Sequence, residues 1–343
     1  MALSFIRQEL AIDLGTANTV IFQNDKIVLD EPSIVAIDNK SGKMVAVGKY
    51  AQMMDEKTNP NIYTVRPLRD GVIADFNAAE MMITGFIKMV NGNRTHLFTP
   101  NLKMVVGISK GSTPVEIRAV RDSCEHAGAH DLFLIHEPMA SAIGIGLDVE
   151  APKRNMVVDI GGGTTEIAVI SLGGIVESES VRTAGNEITR DIQEYMAVQH
   201  NIRTGFKTAE KIKFNVGSVL TELPADEEPM PITIHGKNIV TSHPAETEVT
   251  YQEIALCIDK SIAKIENSIL HVLEQTPPEL YSDIVENGIW LAGGGSLLRG
   301  IAQRFTDKVN IQFHVAEDPL KAVARGTCAA LKNTENNCAY LMR

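Results

Sequence analysis

The chain has 343 residues, 44% of them hydrophobic and 22% charged, so it is long enough for two hydrophobic cores and has an ordinary globular composition. Its formal net charge of -11 argues against nucleic acid as a partner, because nucleic-acid binding usually needs a basic surface. The 4 cysteines are scattered without a CxxC spacing, which argues against disulfides and against a zinc site.

The N-terminal segment Met1 to Glu9 lacks a basic region followed by a long apolar run, which argues against a signal peptide. No stretch of the sequence approaches the roughly 18 apolar residues of a membrane-spanning helix, so we expect the protein in the cytoplasm. Two interpretations of this segment stay open. Its apolar residues form a short membrane anchor, or the segment is too short to hold a helix by itself.

The segment Leu10 to Phe22 (LAIDLGTANTVIF) is the first with chemical information. It predicts a strand that ends in Asp13, a turn that contains Gly15, and a second alternating strand, which together form a hairpin and not a GxxxxGK[ST] loop. Glycine lets a polyphosphate approach the backbone. The turn is completed by three residues with N–H groups and short side chains: Thr16, Ala17 and Asn18. Taken alone, the segment also fits an ordinary hairpin turn.

The segment Gly92 to Pro100 places two bulky apolar residues, Leu97 and Phe98, in a polar stretch that ends in proline. Burial of one such side chain is worth about 1.5 to 3 kcal/mol, so the pair would hold a single subunit on a membrane only weakly. A polymer would repeat the contact and strengthen it. The other interpretation is that both side chains pack back onto their own domain.

The segment Val157 to Val169 (VVDIGGGTTEIAV) repeats the pattern of the first hairpin, with Asp159 in the place of Asp13. The three glycines of its turn are Gly161, Gly162 and Gly163. Two such turns, one from each half of a duplicated chain, would grip the phosphates of a nucleotide from opposite sides. Asp13 and Asp159 would hold Mg²⁺ largely through water, because that ion dehydrates reluctantly. The sequence therefore predicts an α/β protein with two related domains.

A second repeat follows each hairpin. The segments Glu137 to Gly144 and Asp318 to Gly326 both contain an acidic residue, a proline, several small residues and a glycine. Proline in the first turn after an acid favours the start of a helix. The small residues predict that the two helices approach each other closely where the halves meet, at a hinge.

A third glycine cluster lies between Ile289 and Gly300, after a predicted strand and before a predicted helix. Its glycines are Gly293, Gly294 and Gly295. Alone, this pattern fits an ordinary tight turn, but beside two phosphate turns it favours contact with the adenosine of a nucleotide.

The order of these elements resembles the superfamily of actins, sugar kinases and heat-shock-chaperone ATPases over almost the whole chain. Within it, five runs are similar to the MreB family of bacterial actins: Ala11 to Thr19, Asp70 to Phe76, Asp159 to Glu166, Ile170 to Val176, and Thr276 to Leu280. The resemblance implies an actin-like ATPase fold with two duplicated ribonuclease-H-like domains, each with a smaller inserted subdomain, and a nucleotide in the central cleft. The implied large subdomains are 1–33, 68–144 and 318–343, then 145–180 and 247–317; the inserts are 34–67 and 181–246.

The same resemblance assigns roles to four residues. Glu137 matches the catalytic glutamate, which would orient or deprotonate the water that attacks the γ-phosphate, and Thr164 would help to position that water. Glu210 and Lys213 match a helix that contacts the nucleoside. The alternatives are that Glu137 only stabilises a helix N-terminus, and that Glu210 and Lys213 are an exposed charge pair.

Two positions depart from the family pattern. Ser141 stands where alanine is usual, and the run Ser109 to Ser112 replaces the usual Pro-Ser-Gly turn. We expect neither departure to touch the residues that grip the phosphates.

The resemblance implies an ATPase that uses ATP and Mg²⁺ and forms filaments with copies of itself. These filaments would lie on the inner face of the cytoplasmic membrane, with Leu97 and Phe98 inserted in the bilayer. With wall-synthesis membrane proteins as partners, they would organise cell-wall synthesis and maintain cell shape. The alternatives are a small-molecule kinase, a chaperone-like ATPase, and a plasmid-segregating or division-site actin of the same superfamily.

Overall fold

The computed structural model describes residues 7–55, 57–92, 101–152, 155–335 and 338–343. Its two largest elements are a 6-stranded sheet and a 5-stranded sheet, which have the same arrangement of strands around a central strand. We call the part of the chain around the 6-stranded sheet the first half, and the part around the 5-stranded sheet the second half.

Each sheet is built around a central strand and its hairpin partner. The first sheet contains, in spatial order, strands Leu341–Met342, Ala129–His136, Asn101–Ile108, Arg7–Leu14, Asn18–Gln23 and Lys26–Pro32. The second contains Gly174–Val181, Thr165–Ser171, Asn155–Ile160, Ile289–Ala292 and Phe313–Val315. In both, the central strand pairs antiparallel with the strand that follows it and parallel with a later strand. The predicted hairpins and the internal duplication are confirmed.

Two helices, Glu137–Ile145 and Ala322–Lys332, lie between the sheets and pack against each other. A Cβ atom added to Gly144 would overlap the carbonyl oxygen of Ala322, and one added to Gly326 would overlap that of Ala140. The predicted close approach through small residues is therefore confirmed. The second helix differs from its prediction at its start, because Pro319 opens a short 3-10 turn, Pro319–Lys321, before the α-helix begins.

The side chains of each sheet alternate between two cores. In the first half, Leu10 packs into an outer core, while its neighbour Ala11 packs into a central core that both halves share. In the second half, Met156 packs into that half's outer core and its neighbour Val157 packs into the shared central core. Because successive strand residues point to opposite faces, strands that are covered on both faces read as continuous apolar runs. The molecule is thus layered, with the two central helices between the sheets.

Smaller elements complete each half. The first half adds a sheet of Met44–Val47, Val35–Asp38 and Ile62–Val65, a hairpin of Leu68–Arg69 and Val72–Ile73, and helices Lys49–Met54, Phe76–Asn91 and Pro114–His126. The second half adds a sheet of Ile202–Arg203, Ile232–Asn238 and Pro244–Val249, helices Gly185–Gln199, Phe206–Val216, Tyr251–Gln275, Pro278–Asn287 and Ile301–Val309, and the 3-10 turn Gly294–Leu297. Lys207 Nζ donates to the carbonyl of Gln52 (2.5 Å) and so joins the helices beside the two small sheets. The division into four subdomains stays a prediction.

Local sequence explains where the long helix of the second half begins. Thr250 accepts from the N–H of Glu253, and the Glu253 carboxylate accepts from the N–H of Thr250, which is a capping box. Its buried isoleucines recur at helical spacing, at Ile254, Ile258, Ile262, Ile265 and Ile269.

Candidate functional site

The first hairpin turn, Gly15 to Ala17, joins strands Arg7–Leu14 and Asn18–Gln23. Ser33 holds this turn from behind. Its hydroxyl donates to the carbonyl of Gly15 (2.6 Å), and its N–H donates to the carbonyl of Ala17 (2.9 Å). These two bonds fix the shape of the turn, and a fixed turn can present its N–H groups to an anionic ligand.

The second hairpin turn, Gly161 to Thr164, is held by a helix. The N–H of Gly161 closes the turn by donating to the carbonyl of Thr164 (2.9 Å). The N–H groups of Gly185 and Asn186, at the start of helix Gly185–Gln199, donate to the carbonyls of Gly161 (3.0 Å) and Gly162 (2.8 Å). Both turns therefore have bound carbonyls and a fixed shape.

The two turns lie against each other. A Cβ atom on Gly162 would be 2.8 Å from the Cβ of Ala17, and one on Gly163 would be 2.6 Å from Thr16 Oγ1. The N–H of Gly71 also donates to Thr16 Oγ1 (3.1 Å). Because only glycine leaves room here, the glycines are needed for the approach of the two halves. The structure thus brings both predicted turns into one site.

Asp13 and Asp159 occupy equivalent places near the ends of the two central strands. Asp159 is buried, and Asp13 keeps partial contact with solvent although its carboxyl is surrounded by protein. Burial, with the charges of Asp159 and Asp30, raises the pKa of Asp13 to about 7, and burial raises the pKa of Asp159 to about 6. A nearby cation would relieve this cost of ionisation.

The chemistry of this pair fits Mg²⁺. That ion usually takes one or two carboxylates and completes its coordination with water and phosphate. Within the described ranges, no group of three or more His, Cys, Asp or Glu side chains is arranged to hold a metal ion by itself. Asp13 and Asp159 are therefore suited to hold a magnesium ion that arrives with a nucleotide.

Glu137 begins the central helix Glu137–Ile145, directly after strand Ala129–His136. Burial raises the pKa of its carboxyl well above the ordinary value, and the charges of Glu166, Asp13 and Asp159 raise it further. Glu137 also lines a cavity of about 10 Å³, which has room for about one water molecule. A carboxyl with a raised pKa beside a water-sized space is suited to exchange a proton with water.

The prediction that neither departure from the family pattern touches the residues that bind the phosphates is wrong for Ser141, whereas for the run Ser109 to Ser112 it stays a prediction. The hydroxyl of Ser141 donates to the carboxylate of Asp159, one of the two candidate metal ligands. The hydroxyl of Ser109 donates to Glu166 (2.6 Å), which lies two residues after Thr164. Helix Glu137–Ile145 and the end of strand Asn101–Ile108 bring these serines to the site, which their spacing in the sequence does not indicate.

The third glycine cluster packs directly behind the second turn. Gly293 has a positive φ of 75°, and a Cβ atom there would lie 2.5 Å from Asp159 Oδ1. A Cβ atom on Gly295 would overlap the side chain of Ile160. Gly294 starts the 3-10 turn Gly294–Leu297, and the predicted helix begins later, after Gly300. The cluster therefore borders the same site as the two hairpin turns.

Glu210 and Lys213 lie on helix Phe206–Val216, which is next to the second turn. Lys213 Nζ donates to the carbonyl of Gly185 (2.9 Å) and to Thr189 Oγ1 (2.8 Å). Both residues are half-buried, and burial lowers the pKa of Lys213 while the charge of Glu210 opposes that shift. They are therefore not simply an exposed pair.

Sequence reasoning did not assign Glu166 a role. This glutamate is 1% exposed, in a strand whose other residues are all buried: Thr165, Ile167, Ala168, Val169, Ile170 and Ser171. One carboxylate in a strand of buried residues needs polar partners. A single glutamate in an otherwise buried strand therefore indicates a buried polar contact, and this pattern in the sequence could have identified Glu166.

The candidate membrane residues Leu97 and Phe98 lie outside the described residues, as does the N-terminal segment 1–6. Over the part of the chain that the structure describes, no helix combines the length and the apolar character needed to cross a bilayer.

Comparison with known proteins gives a consistent result. The family model described as MreB/Mbl protein matches residues 7–338. The cell shape-determining protein MreB of Escherichia coli is 44% identical over 94% of this chain and 93% of its own length. The cell shape-determining protein Mbl of Bacillus subtilis is 40% identical over 96% of this chain and 97% of its own. The crystal structure of MreB5 of Spiroplasma citri bound to AMPPNP has a TM-score of 0.89 and 35% identity, and covers 96% of this chain and 98% of that one.

Proposed function

The chain belongs to the MreB/Mbl family, and from this premise we propose that it is an ATP-hydrolysing bacterial actin that forms filaments at the inner face of the cell membrane. There it organises cell-wall synthesis and maintains cell shape. The observation that carries the proposal is the contact between two glycine turns, one from each half, with Asp13 and Asp159 beside them. The names of the Escherichia coli and Bacillus subtilis relatives support the role in cell shape.

The two turns bind the phosphates of ATP. Their N–H groups act as donors to the β- and γ-phosphate oxygens, with the hydroxyl of Thr16 as a further donor. The side-chain amide of Asn18 donates one hydrogen bond to Asp30 (3.1 Å) and has a second hydrogen for the phosphates. Asp13 and Asp159 would hold Mg²⁺, largely through water, and the ion would supply positive charge to the phosphates. That the neighbour from Spiroplasma citri is bound to AMPPNP supports a nucleotide at this place.

Glu137 acts on the water that attacks the γ-phosphate. Its buried carboxyl has a raised pKa, so as a carboxylate it is a stronger base than an exposed glutamate. Thr164, at the end of the second turn, positions the same water from the other half. The two catalytic residues therefore come from different halves of the molecule.

The glycines Gly293, Gly294 and Gly295 let the adenosine approach the backbone behind the second turn. Glu210 and Lys213, on helix Phe206–Val216, contact the nucleoside. Support comes from their position, since Lys213 is hydrogen-bonded to the start of the helix that holds this turn.

The direct test measures phosphate release and pelleting of the purified protein with and without Mg-ATP. We expect phosphate release and ATP-dependent sedimentation. Transfer of phosphate to a sugar in place of water would support the small-molecule kinase alternative. Failure to bind any magnesium-nucleotide complex would overturn the proposal.

Replacement of Asp13 by asparagine should weaken binding of Mg-ATP about 10- to 100-fold, the range seen when groups that hold a metal indirectly are removed. Titration of a fluorescent ATP analogue with and without Mg²⁺ measures this. The variant should lose affinity in the titration with Mg²⁺ and keep its affinity in the titration without it. Unchanged affinity in both would contradict the metal assignment.

Binding of Mg-ATP should also depend on pH. The folded-state pKa values of Asp13 and Asp159, about 7 and about 6, exceed the ordinary 3.8. The raised pKa values therefore contribute their full stabilisation of the folded state below about pH 3.8, where both carboxyls are neutral. This contribution is lost as the pH rises through about 6 to 7. The gain in melting temperature on adding Mg-ATP should grow over the same window, because the metal needs carboxylates.

The proposed membrane contact rests on the sequence of residues 92–100. Leu97 and Phe98 insert in the bilayer, and the filament repeats this weak contact along its length. Wall-synthesis membrane proteins are the proposed partners at that surface.

Replacement of both Leu97 and Phe98 by serine should abolish co-sedimentation with liposomes and leave ATP-dependent pelleting unchanged. The matched control replaces the exposed apolar pair Ile239 and Val240, which lies on the second half, by serine. Co-sedimentation that survives in the first variant would move the anchor to the N-terminal segment or to a partner.

A further inference from the structure

Glu166 lies where the two halves meet. Its carboxylate accepts hydrogen bonds from four groups: Ser109 Oγ (2.6 Å) and Ser180 Oγ (2.8 Å) both donate to Oε1, the N–H of Lys110 donates to Oε2 (3.3 Å), and the Thr164 side chain donates as well. A carboxylate that is 1% exposed needs such donors, because hydrogen bonds replace the water lost on burial.

The donors come from different halves. Ser180 lies on strand Gly174–Val181 and is paired with Glu166 in the second sheet. Ser109 and Lys110 directly follow strand Asn101–Ile108 of the first sheet. Glu166 therefore has two donors inside its own half, Ser180 and Thr164, and two from the other half, and it joins the halves by a charge-assisted contact.

Close packing supports this contact. A Cβ atom on Gly111 would be 2.8 Å from the Cβ of Ser180, so the turn after Ser109 fits against the second half only with glycine at this position. A Cβ atom on Gly71 would be 2.8 Å from Thr164 Cγ2 and 3.3 Å from Ser109 Cβ. The residues around Glu166 thus form one packed junction.

The junction is directly linked to Glu137. Strand Asn101–Ile108 runs parallel to strand Ala129–His136, with Ile108 paired with His136. Ser109 and Glu137 directly follow these two strands, so they lie next to each other at the same edge of the sheet. A contact that fixes Ser109 against the second half therefore also constrains the adjacent start of helix Glu137–Ile145.

We propose that Glu166 is a positioning residue for ATP hydrolysis. By holding Ser109 and Lys110, it aligns Glu137 of the first half with Thr164 and the γ-phosphate turn of the second half. This inference rests on the proposed ATPase function. Hydrolysis needs this alignment because reacting groups must lie within a few tenths of an ångström of their productive positions, and a displacement of about 1 Å can cost about 100-fold in rate.

The two serines allow a matched test, because each donates one hydroxyl hydrogen bond to the same oxygen of Glu166. Ser109→Ala removes a link between the halves, whereas Ser180→Ala removes a link within one half. We expect Ser109→Ala to slow single-turnover phosphate release about 10-fold or more, the effect of one lost hydrogen bond to a charged group. Ser180→Ala should slow it less than about 3-fold, and ATP affinity should change less than about 3-fold in both variants.

Glu166→Gln provides a second measurement. Its side-chain amide places a donor or a weaker acceptor opposite the N–H of Lys110, so phosphate release should slow at least as much as in Ser109→Ala. Glu166→Gln also removes the charge that raises the pKa of Glu137, so its slowing includes a direct effect on that residue. Adding Ser109→Ala to Glu166→Gln should cause less loss than Ser109→Ala causes in the wild type, because the contact is already weakened. Equal slowing by the two serine variants, or additive effects of Ser109→Ala and Glu166→Gln, would overturn the positioning role. Whichever result these variants give, ATP hydrolysis by the wild-type protein supports the proposed function independently of Glu166. A wild-type protein that binds ATP without hydrolysing it would overturn both.

Discussion

Replacement of Glu137 by glutamine should slow ATP hydrolysis about 10²- to 10⁴-fold, the contribution expected of a general base in the transition state. Glutamine keeps the size and polarity of the side chain but cannot accept the proton of the attacking water. Binding of Mg-ATP should persist, because the two glycine turns and both aspartates are untouched. Filaments should therefore form and last longer. Single-turnover phosphate release, measured beside nucleotide affinity, separates the two effects.

The alternative for Glu137 is that it only stabilises the N-terminus of its helix, which is worth about 0.3 to 1 kcal/mol. Glu279 provides the control, because it is an exposed acid in the first turn of helix Pro278–Asn287, beside a proline. Glu279→Gln should leave hydrolysis unchanged. Wild-type hydrolysis in Glu137→Gln would remove this residue from the mechanism.

Replacement of Gly326 by alanine should lower the free energy of unfolding by about 3 kcal/mol or more, at the upper end of the effect of overpacking. The added Cβ would overlap the backbone of Ala140, and backbone cannot move aside as a flexible side chain can. Urea denaturation followed by circular dichroism measures the effect. Nucleotide binding should weaken with it, because these two helices pack between the sheets that carry the glycine turns, and one of them begins with Glu137.

Gly85 is the matched control for Gly326. It also lies inside a helix, Phe76–Asn91, but a Cβ atom there would meet only side chains, with Met44 Cε at 3.1 Å. In Gly85→Ala, the higher helix propensity of alanine stabilises the fold by up to about 1 kcal/mol, and the tight contact with Met44 opposes this gain. The net change in the free energy of unfolding should therefore be small. Equal destabilisation by both variants would show that the crossing of the central helices is not especially constrained.

The sequence predicted the elements whose causes are local. The hairpins at Asp13 and Asp159 follow from alternating strands interrupted by glycine, and the close helices follow from their small residues. The start of the second central helix was less predictable, because the carbonyl of Pro319 accepts from the N–H of Gly293 in a distant turn.

The roles of the serines could not be predicted from spacing. Ser109 and Glu166 are 57 positions apart and meet only after both sheets have formed. Ser141 departs from the family pattern, and its hydroxyl reaches Asp159 because the central helix packs against the second sheet there. A polar residue in an otherwise apolar buried segment indicates a buried hydrogen-bond partner, but the sequence does not say which one.

The crossing of Gly144 and Gly326 also limits how the molecule can move. Because backbone lies so close to backbone there, no change of rotamer can absorb a shift of one helix along the other. The helices beside the two small sheets are joined separately, by the hydrogen bond from Lys207 to the carbonyl of Gln52. A rotation of one half against the other about the central crossing would therefore have to lengthen or break that outer hydrogen bond.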